Sequence, residues 1–185
     1  MEQKENKILI HCCCAICSAY SILSLKNQGY EPIAYFYNPN IDTEDEYNRR
    51  LNAQKTLCNY YNIELFYEKY DPNEYLKHVA GYEDEPEQGK RCDKCIELRL
   101  AKTVNKAEEL NISKITTSLV ISPHKNFSKI SFIGENLCKN TEIEYISIDF
   151  KKKDGFLKTN KISKELGLYR QNYCGCKFAK KHLEK

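Results

Sequence analysis

The stretch KILIHCCCAIC, residues 7–17, decides the fold class of this protein. Its first half is a short apolar run rich in isoleucine, which is typical of a buried β-strand. Its second half is rich in cysteine and leads directly into a segment with helical spacing. A buried strand that continues straight into a helix is the first part of a βα unit, and such units build α/β domains.

Four further strand-like runs follow the first one. They lie at residues 32–37, 63–67, 114–117 and 144–149, and stretches with helical periodicity separate them. This alternation predicts a single α/β domain, Rossmann-like, with a mostly parallel sheet. The 185 residues match the length of one ordinary domain, so we assign residues 1–185 to it.

Several helix boundaries are visible in the sequence. Thr43 with Glu46 forms a capping box ahead of one helix, and Asp71 is placed to cap another. Gly29 and Gly167 lie where two helices should end. Behind Thr43 the apolar residues recur at helical spacing, so we expect that helix to pack on the sheet.

The composition excludes several classes of protein. Apolar residues make up 41% of the chain and charged residues 30%, values typical of a globular protein rather than a disordered one. No stretch approaches the roughly 18 apolar residues of a membrane span, and the N-terminus is polar. We therefore expect a cytoplasmic protein without a membrane anchor. The absence of glycine before residue 29 argues against a P-loop or a dinucleotide site.

The chain contains ten cysteines, a density that indicates metal binding or redox chemistry in a cytoplasmic protein. By spacing they form three groups and two single residues: Cys12, Cys13, Cys14 and Cys17; Cys92 and Cys95; Cys174 and Cys176; Cys58; Cys138. The two single cysteines lie on apolar helical stripes. We therefore predict that Cys58 and Cys138 are small core residues.

Four cysteines are candidate metal ligands. Cys12 and Cys13 should point to opposite faces of their strand, and Cys13 is the better candidate. Cys92 and Cys95 begin a long helical pattern, where the helix dipole favours the thiolate form that binds metal. Together with Cys13 and Cys14 they make four thiolates, which suit zinc, copper(I) or an iron–sulfur cluster. Directly adjacent cysteines diverge widely, which favours the cluster over a single zinc ion.

The motif Cys174-Gly175-Cys176 differs from the other groups. Its two sulfurs can form a disulfide only across a very small ring, which strains the bond and makes it easy to reduce. Gly175 supplies the backbone freedom that such a turn needs. The spacing favours an exchangeable redox pair, and the alternative is that one of the two sulfurs binds metal.

Two other segments are candidates for substrate binding. Residues 151–185 hold eleven Lys or Arg against three Asp or Glu, a local net charge of +8 in a chain of net charge +3. This basic C-terminal segment is either a solvated face or a surface for a phosphate-bearing substrate. The loop SPHKN at residues 122–126 follows the fourth strand, so it should lie at the same carboxyl edge of the sheet as the first cysteines.

The motifs in this order resemble those of the QueH-type epoxyqueuosine reductases. They are HCCCAIC at residues 11–17, CDKC at 92–95 followed by Arg99, ISPHKN at 121–126 and LYRQNYCGC at 168–176. The resemblance extends from Lys7 to about Phe178 and implies a fold similar to the nucleotide alpha hydrolase (HUP-like) folds. It also implies reduction of epoxyqueuosine to queuosine in the wobble position of tRNA, the last step of queuosine biosynthesis.

The resemblance assigns roles motif by motif. Four cysteines would hold a 4Fe-4S cluster: Cys13, Cys14, Cys92 and Cys95. Cys174 and Cys176 would be the redox-active disulfide pair, and Cys17 is nominated for an additional iron ion. The implied partners are tRNA that carries epoxyqueuosine and an external electron donor. The chain has Ile16 where the family usually has proline, which leaves the cysteine spacing unchanged.

Two other functions account for part of these features. A zinc-stabilised RNA-binding module would use the cysteines and the basic segment without performing any reaction. A thiol–disulfide electron-transfer protein would use Cys174 and Cys176 without tRNA. Iron and sulfide in the purified protein would argue against the first, and conversion of epoxyqueuosine in tRNA would argue against the second.

Overall fold

The computed structural model describes residues 6–180, which form an α/β fold around one five-stranded sheet. The strands are β1 (Lys7–His11), β2 (Glu31–Phe36), β3 (Leu65–Tyr67), β4 (Lys114–Thr117) and β5 (Glu144–Tyr145). They lie in the order β3-β2-β1-β4-β5, and every neighbouring pair is parallel. The predicted α/β fold is confirmed, and β5 is shorter than its apolar run suggested.

Helices cover both faces of the sheet, as right-handed crossovers between parallel strands require. They are α1 (Ala15–Asn27), α2 (Glu44–Tyr61), α3 (Pro72–His78), α4 (Lys90–Glu109), α5 (Phe127–Cys138), α6 (Gly155–Glu165) and α7 (Lys177–Lys180). On one face α1 packs against α2 and α6, and on the other α4 packs against α3 and α5. A short 3-10 helix, Ser118–Ile121, follows β4.

The helix boundaries follow from local chemistry. The Thr43 hydroxyl accepts a hydrogen bond from the Glu46 backbone N–H at 3.2 Å, so Thr43 caps α2 as predicted. The Asp71 carboxylate caps α3 in the same way, with a 2.9 Å bond from the Asn73 N–H. Gly29 (φ +86°) and Gly167 (φ +59°) end α1 and α6 in the left-handed conformation that glycine adopts without strain.

The core lies on both sides of β1, the central strand. Ile8, Leu9 and Ile10 are completely buried, because helices cover the faces toward which alternate side chains point. Each such side chain contributes roughly 1.5–3 kcal/mol of burial free energy. Cys58 and Cys138 are also buried among the core residues, which confirms the prediction made for both.

The basic C-terminal segment is described as far as residue 180. It consists of a turn at residues 151–154, then α6, an irregular stretch and α7. The turn follows β5 and reaches the carboxyl edge of the sheet, where Lys151 Nζ donates to the Lys125 carbonyl at 3.0 Å. The lysines and the glutamate of residues 181–185 lie outside the described residues, as does the N-terminal stretch 1–5. Within residues 6–180, the helices are too short or too polar to cross a membrane.

Candidate active site

A cavity of about 470 Å³ opens at the carboxyl edge of the sheet. Its walls come from residues within 13–17, 119–125 and 170–174, together with Arg99 of α4. The position follows from the topology, because the chain leaves β1 and β4 toward opposite faces and a crevice forms between the two loops. Residues 122–125 of the SPHKN loop line this cavity, so the loop lies beside the first cysteines as the sequence predicted.

Three thiols meet at the start of α1. The Sγ atoms of Cys13, Cys14 and Cys17 all lie within 4.8 Å of one another, and we call this group the thiol triad. α1 begins at Ala15, so Cys14 is its N-cap and accepts a 3.3 Å hydrogen bond from the Cys17 N–H. Cys12, by contrast, is fully buried in the core, as its opposite orientation on the strand predicted.

The triad shares its protons unequally. Hydrogen bonds from Cys13 and Cys17 hold the pKa of Cys14 well below its usual range. The pKa of Cys17 is raised, because its thiol donates to Cys13 and Cys14 and is partly desolvated in its half-buried position. Ser118, at the start of the 3-10 helix after β4, fixes the β1–α1 loop, because its hydroxyl accepts a 3.1 Å hydrogen bond from the Cys13 N–H. The result is a compact sulfur donor set of the kind that soft metals prefer.

Cys92 lies in the first turn of α4 and Cys95 in the second, at the start of the helix as predicted, but neither is part of the thiol triad. Cys92 accepts a 3.2 Å hydrogen bond from the Gln88 N–H. Cys95 is only 7% exposed, and its burial raises its pKa to about 11 although Arg99 opposes this effect. The expectation that the helix dipole would lower the pKa of Cys95 is therefore wrong. Desolvation of the buried thiolate raises this pKa by more than the dipole lowers it.

Arg99 connects the three groups of cysteines electrostatically. Burial disfavours its charge, yet the sulfurs of Cys95, Cys174 and Cys13 together raise its pKa. Its guanidinium donates to Asn38 Oδ1 at 3.4 Å, which places a fixed positive charge at the base of the cavity. Sulfurs from the β1–α1 loop, from α4 and from the C-terminal stretch therefore all interact electrostatically with one cation.

The CGC loop, residues 173–176, is held by α2 through Arg50. This guanidinium is 3% exposed and donates to the carbonyls of Cys174 at 3.1 Å and Tyr173 at 3.2 Å. Its Nε donates to Glu46 at 2.7 Å in a buried ion pair. Sequence reasoning missed Arg50, because a Glu–Arg pair four residues apart on a helix usually lies at the surface.

The two thiols of the CGC loop have different surroundings. Cys174 is partly exposed, lines the cavity and lies 3.9 Å from Lys125 Nζ. Cys176 is 6% exposed, and its Sγ lies 2.9 Å from the Tyr75 hydroxyl on α3. Burial raises the pKa of Tyr75, so its phenol stays protonated. Both cysteines are free thiols.

The fold and the site together define a class of protein. It is a parallel α/β protein in which cysteines from two separate segments, residues 13–17 and the CGC loop, border a cavity at the carboxyl edge of the sheet. The chain belongs to the epoxyqueuosine reductase QueH family, whose model matches residues 8–182.

Two relatives carry that family name. The epoxyqueuosine reductase QueH of Streptococcus pyogenes serotype M1 is 39% identical over 97% of this chain and 72% of its own length. The QueH of Thermotoga maritima is 34% identical over 96% of this chain and 94% of its own length. Both alignments include nearly all of the present chain.

The fold is also seen in a solved structure. It is the U34-tRNA thiolase NcsA from Methanococcus maripaludis with its [4Fe-4S] cluster, which matches with a TM-score of 0.55 at 17% identity. The match covers 93% of this chain and 60% of that one. At this identity the likeness extends to the fold alone.

Proposed function

We propose that this protein reduces epoxyqueuosine to queuosine in the wobble position of tRNA, as the last step of queuosine biosynthesis. The observation that carries the proposal is the cysteine-bordered cavity in a chain that belongs to the epoxyqueuosine reductase QueH family. Removal of the epoxide oxygen as water consumes two electrons and two protons. Cys174 and Cys176 can supply these two electrons and two protons when both are thiols, because formation of their disulfide releases them.

A 4Fe-4S cluster held by Cys13, Cys14, Cys92 and Cys95 is part of the proposal, with Cys17 as ligand of an additional iron ion. Two of these sulfurs, Cys13 and Cys14, converge with Cys17 within 4.8 Å, and Arg99 offsets negative charge beside Cys13 and Cys95, which supports the assignment. The fold neighbour NcsA is described with a [4Fe-4S] cluster, which supports the assignment. When bound, such a cluster supplies electrons one at a time.

The partners of the reaction would be tRNA and an external electron donor. We propose that the turn at residues 151–154 and helix α6 bind tRNA phosphates, because this basic stretch lies at the same edge of the sheet as the cavity. The donor must restore both thiols of the CGC loop after each turnover, and a small dithiol or a dithiol protein fulfils that requirement. We also propose a cytoplasmic location, where the protein would meet both partners.

The cluster assignment predicts which substitutions remove iron. Anaerobically purified protein should contain iron and sulfide, and Cys13→Ala, Cys14→Ala, Cys92→Ala or Cys95→Ala should each lose most of the cluster absorption. Cys17→Ala should keep that absorption and lose at most the additional iron. Metal analysis with absorption spectra measures both quantities. Zinc in place of iron, or a Cys92→Ala protein with its full cluster, would overturn the assignment.

The activity itself is tested with tRNA that contains epoxyqueuosine. Conversion to queuosine, followed by mass spectrometry of the nucleosides, is expected with a dithiol reductant and the purified holoenzyme. Cys174→Ser and Cys176→Ser should keep the iron and the affinity for tRNA and fail in multiple turnover. Full turnover by either variant would remove the CGC loop from the reaction, and loss of iron would instead make one of its sulfurs a metal ligand.

A further inference from the structure

We infer that the two thiols of the CGC loop have fixed and different roles: an external dithiol attacks Cys174, and Cys176 is the leaving thiol, held by a hydrogen bond to Tyr75. The inference deepens the proposed function and rests on it, since it takes the pair to be redox-active. It adds Tyr75 as a positioning residue and specifies which sulfur the electron donor must reach.

Access separates the two sulfurs. Cys174 lines the cavity, and the ammonium of Lys125 lies 3.9 Å from its Sγ. Cys176 is 6% exposed and does not line the cavity. A donor that enters through the cavity therefore meets Cys174 first.

The partner of Cys176 suits a leaving group. Tyr75 is 2% exposed and lies beneath the CGC loop on α3, with its hydroxyl 2.9 Å from Cys176 Sγ. Since burial raises the pKa of this phenol, it has a proton to donate to a sulfur that gains negative charge. A leaving thiolate departs faster when its charge is stabilised.

The loop cannot exchange the two sulfurs between their positions. Arg50 holds the carbonyls of Tyr173 and Cys174, and the Asp42 N–H donates to the Gly175 carbonyl at 2.8 Å. Gly175 has φ +103°, and a Cβ at this residue would lie 2.9 Å from Arg50 Nη1. Three successive carbonyls are thus fixed to α2 and the segment before it, which keeps Cys174 in the cavity and Cys176 against Tyr75.

The proposed exchange balances as follows. A thiolate of the donor dithiol attacks Cys174 Sγ, a donor–Cys174 disulfide forms, and the Cys174–Cys176 bond breaks. Cys176 leaves as a thiolate that accepts the Tyr75 hydrogen bond and takes up one proton released by the donor. The second donor thiol then attacks the donor sulfur and its proton passes to Cys174, so the donor ends as a disulfide and both cysteines end as thiols.

Labelling of the holoenzyme with the aromatic disulfide 5,5′-dithiobis(2-nitrobenzoate) tests the order of the thiols. Cys176→Ser should form a stable mixed disulfide at Cys174, identified by the mass of its peptide. Cys174→Ser should be labelled at Cys176 at least about tenfold more slowly, because that sulfur is buried. The wild-type protein should form the mixed disulfide at Cys174 and then close to the intramolecular disulfide. Labelling of Cys176 at an equal or higher rate would overturn the inference.

The role of Tyr75 has its own measurement. In Tyr75→Phe the reduction of the Cys174–Cys176 disulfide by dithiothreitol should slow about fivefold to tenfold, the effect expected from loss of one hydrogen bond. Labelling of the reduced Cys174 should keep its rate. Tyr61→Phe is the matched control, because its buried hydroxyl donates to the Ala19 carbonyl at 2.9 Å away from the loop. Equal reduction rates in Tyr75→Phe and the wild type would exclude the role.

These experiments separate failure of the inference from failure of the proposed function. If the wild-type holoenzyme does not convert epoxyqueuosine in tRNA, the proposed function fails, whatever the labelling shows. If both cysteine variants convert epoxyqueuosine at the wild-type rate, the proposed reduction stands, but the pair takes no part in turnover and the inference fails. If turnover is lost but the labelling order is reversed, the proposed function stands and only the assignment of the two sulfurs is wrong.

Discussion

At Arg50 the chain buries a full positive charge between α2 and the CGC loop. Its partners are the Glu46 carboxylate at 2.7 Å and the carbonyls of residues 173 and 174. The Tyr173 ring lies over the guanidinium, with 5.2 Å between the ring centroid and Cζ. The planar fork of arginine satisfies these acceptors together, and the single ammonium of lysine does not.

Replacement of Arg50 should therefore destabilise the protein in a graded manner. We expect Arg50→Met to lower the free energy of unfolding by about 3–5 kcal/mol, because Glu46 would remain buried without its partner. Arg50→Lys should cost about 1–2 kcal/mol through lost hydrogen bonds. Urea unfolding measures both values. The double variant Arg50→Met/Glu46→Gln should recover part of the lost stability, and additive losses in it would contradict the ion-pair explanation. The control is Arg49→Met, at an exposed position, which should change stability little.

Cys58 should behave as a core residue that stays neutral. Burial raises its pKa to about 11 from a usual value of 9.0, so the unfolded chain loses this proton at lower pH than the folded protein does. The stability from the neutral thiol is thus fully present below about pH 9 and is lost as the pH rises through 11. Between pH 8 and 10 this loss should be about 1 kcal/mol.

Cys58→Ala tests this assignment against the wild type. The variant should lose about 1 kcal/mol at pH 7 through the small cavity that it leaves. It should also show a weaker decline of stability between pH 8 and 10 than the wild type, as measured by urea unfolding at each pH. Its iron content should be unchanged, and a loss of iron would show that this sulfur belongs to the metal site.

At the scale of elements, α2 supports the CGC loop. Just before the helix, the Asp42 N–H donates to the Gly175 carbonyl, and Asp42 Oδ1 accepts a 2.6 Å hydrogen bond from the Tyr173 hydroxyl. Within the helix, Arg50 donates to the carbonyls of Tyr173 and Cys174. Thr43 caps the same end of the helix. The start of α2 therefore determines where the two redox candidates lie.

Loss of the α2 cap should affect both stability and the loop. Thr43→Ala should lower the free energy of unfolding by about 1 kcal/mol, since the Glu46 N–H loses its acceptor. Amide hydrogen exchange of the CGC loop should also speed up. Thr56→Ala, at an exposed position in the same helix, is the control and should do neither. Equal effects of the two substitutions would remove the capping explanation.

At the scale of the whole molecule, exposed lysines lie at both edges of the sheet, but only those of one edge lie beside the cavity. The turn at residues 151–154 lies at the carboxyl edge beside the cavity, whereas Lys7 begins β1 at the opposite edge. Phosphate binding at the carboxyl edge would bring the wobble nucleotide to the cysteines. The alternative, a merely solvated basic face, predicts no difference between the edges.

Charge reversal distinguishes these two interpretations. Lys152→Glu/Lys153→Glu should weaken tRNA binding more than about tenfold and lower the slope of log K against log salt by about 2, because two phosphate contacts are lost. Both side chains are exposed, so the iron content should not change. Lys7→Glu/Lys139→Glu carries the same change of charge on exposed residues of the opposite edge and should bind nearly as the wild type does. Equal weakening by both pairs would indicate only a general charge effect.

The sequence by itself determined the five strands, the parallel α/β fold, the caps at Thr43 and Asp71, and the glycine ends of two helices. It also contained the ordered motifs of the epoxyqueuosine reductase family. These features depend on neighbours only a few residues apart along the chain, such as a hydroxyl that bonds the N–H three residues later. Periodicity and capping are therefore readable before any packing is known.

Only the tertiary structure decided how the site is assembled. Arg50 and Cys174 are 124 residues apart in the sequence, and Tyr75 and Cys176 are 101 apart, so no local pattern signals either contact. The structure also showed that burial raises the pKa of Cys95 where the helix dipole alone predicted a decrease. Desolvation depends on how completely distant segments exclude water from a side chain, and that is a property of the packed molecule and not of the chain.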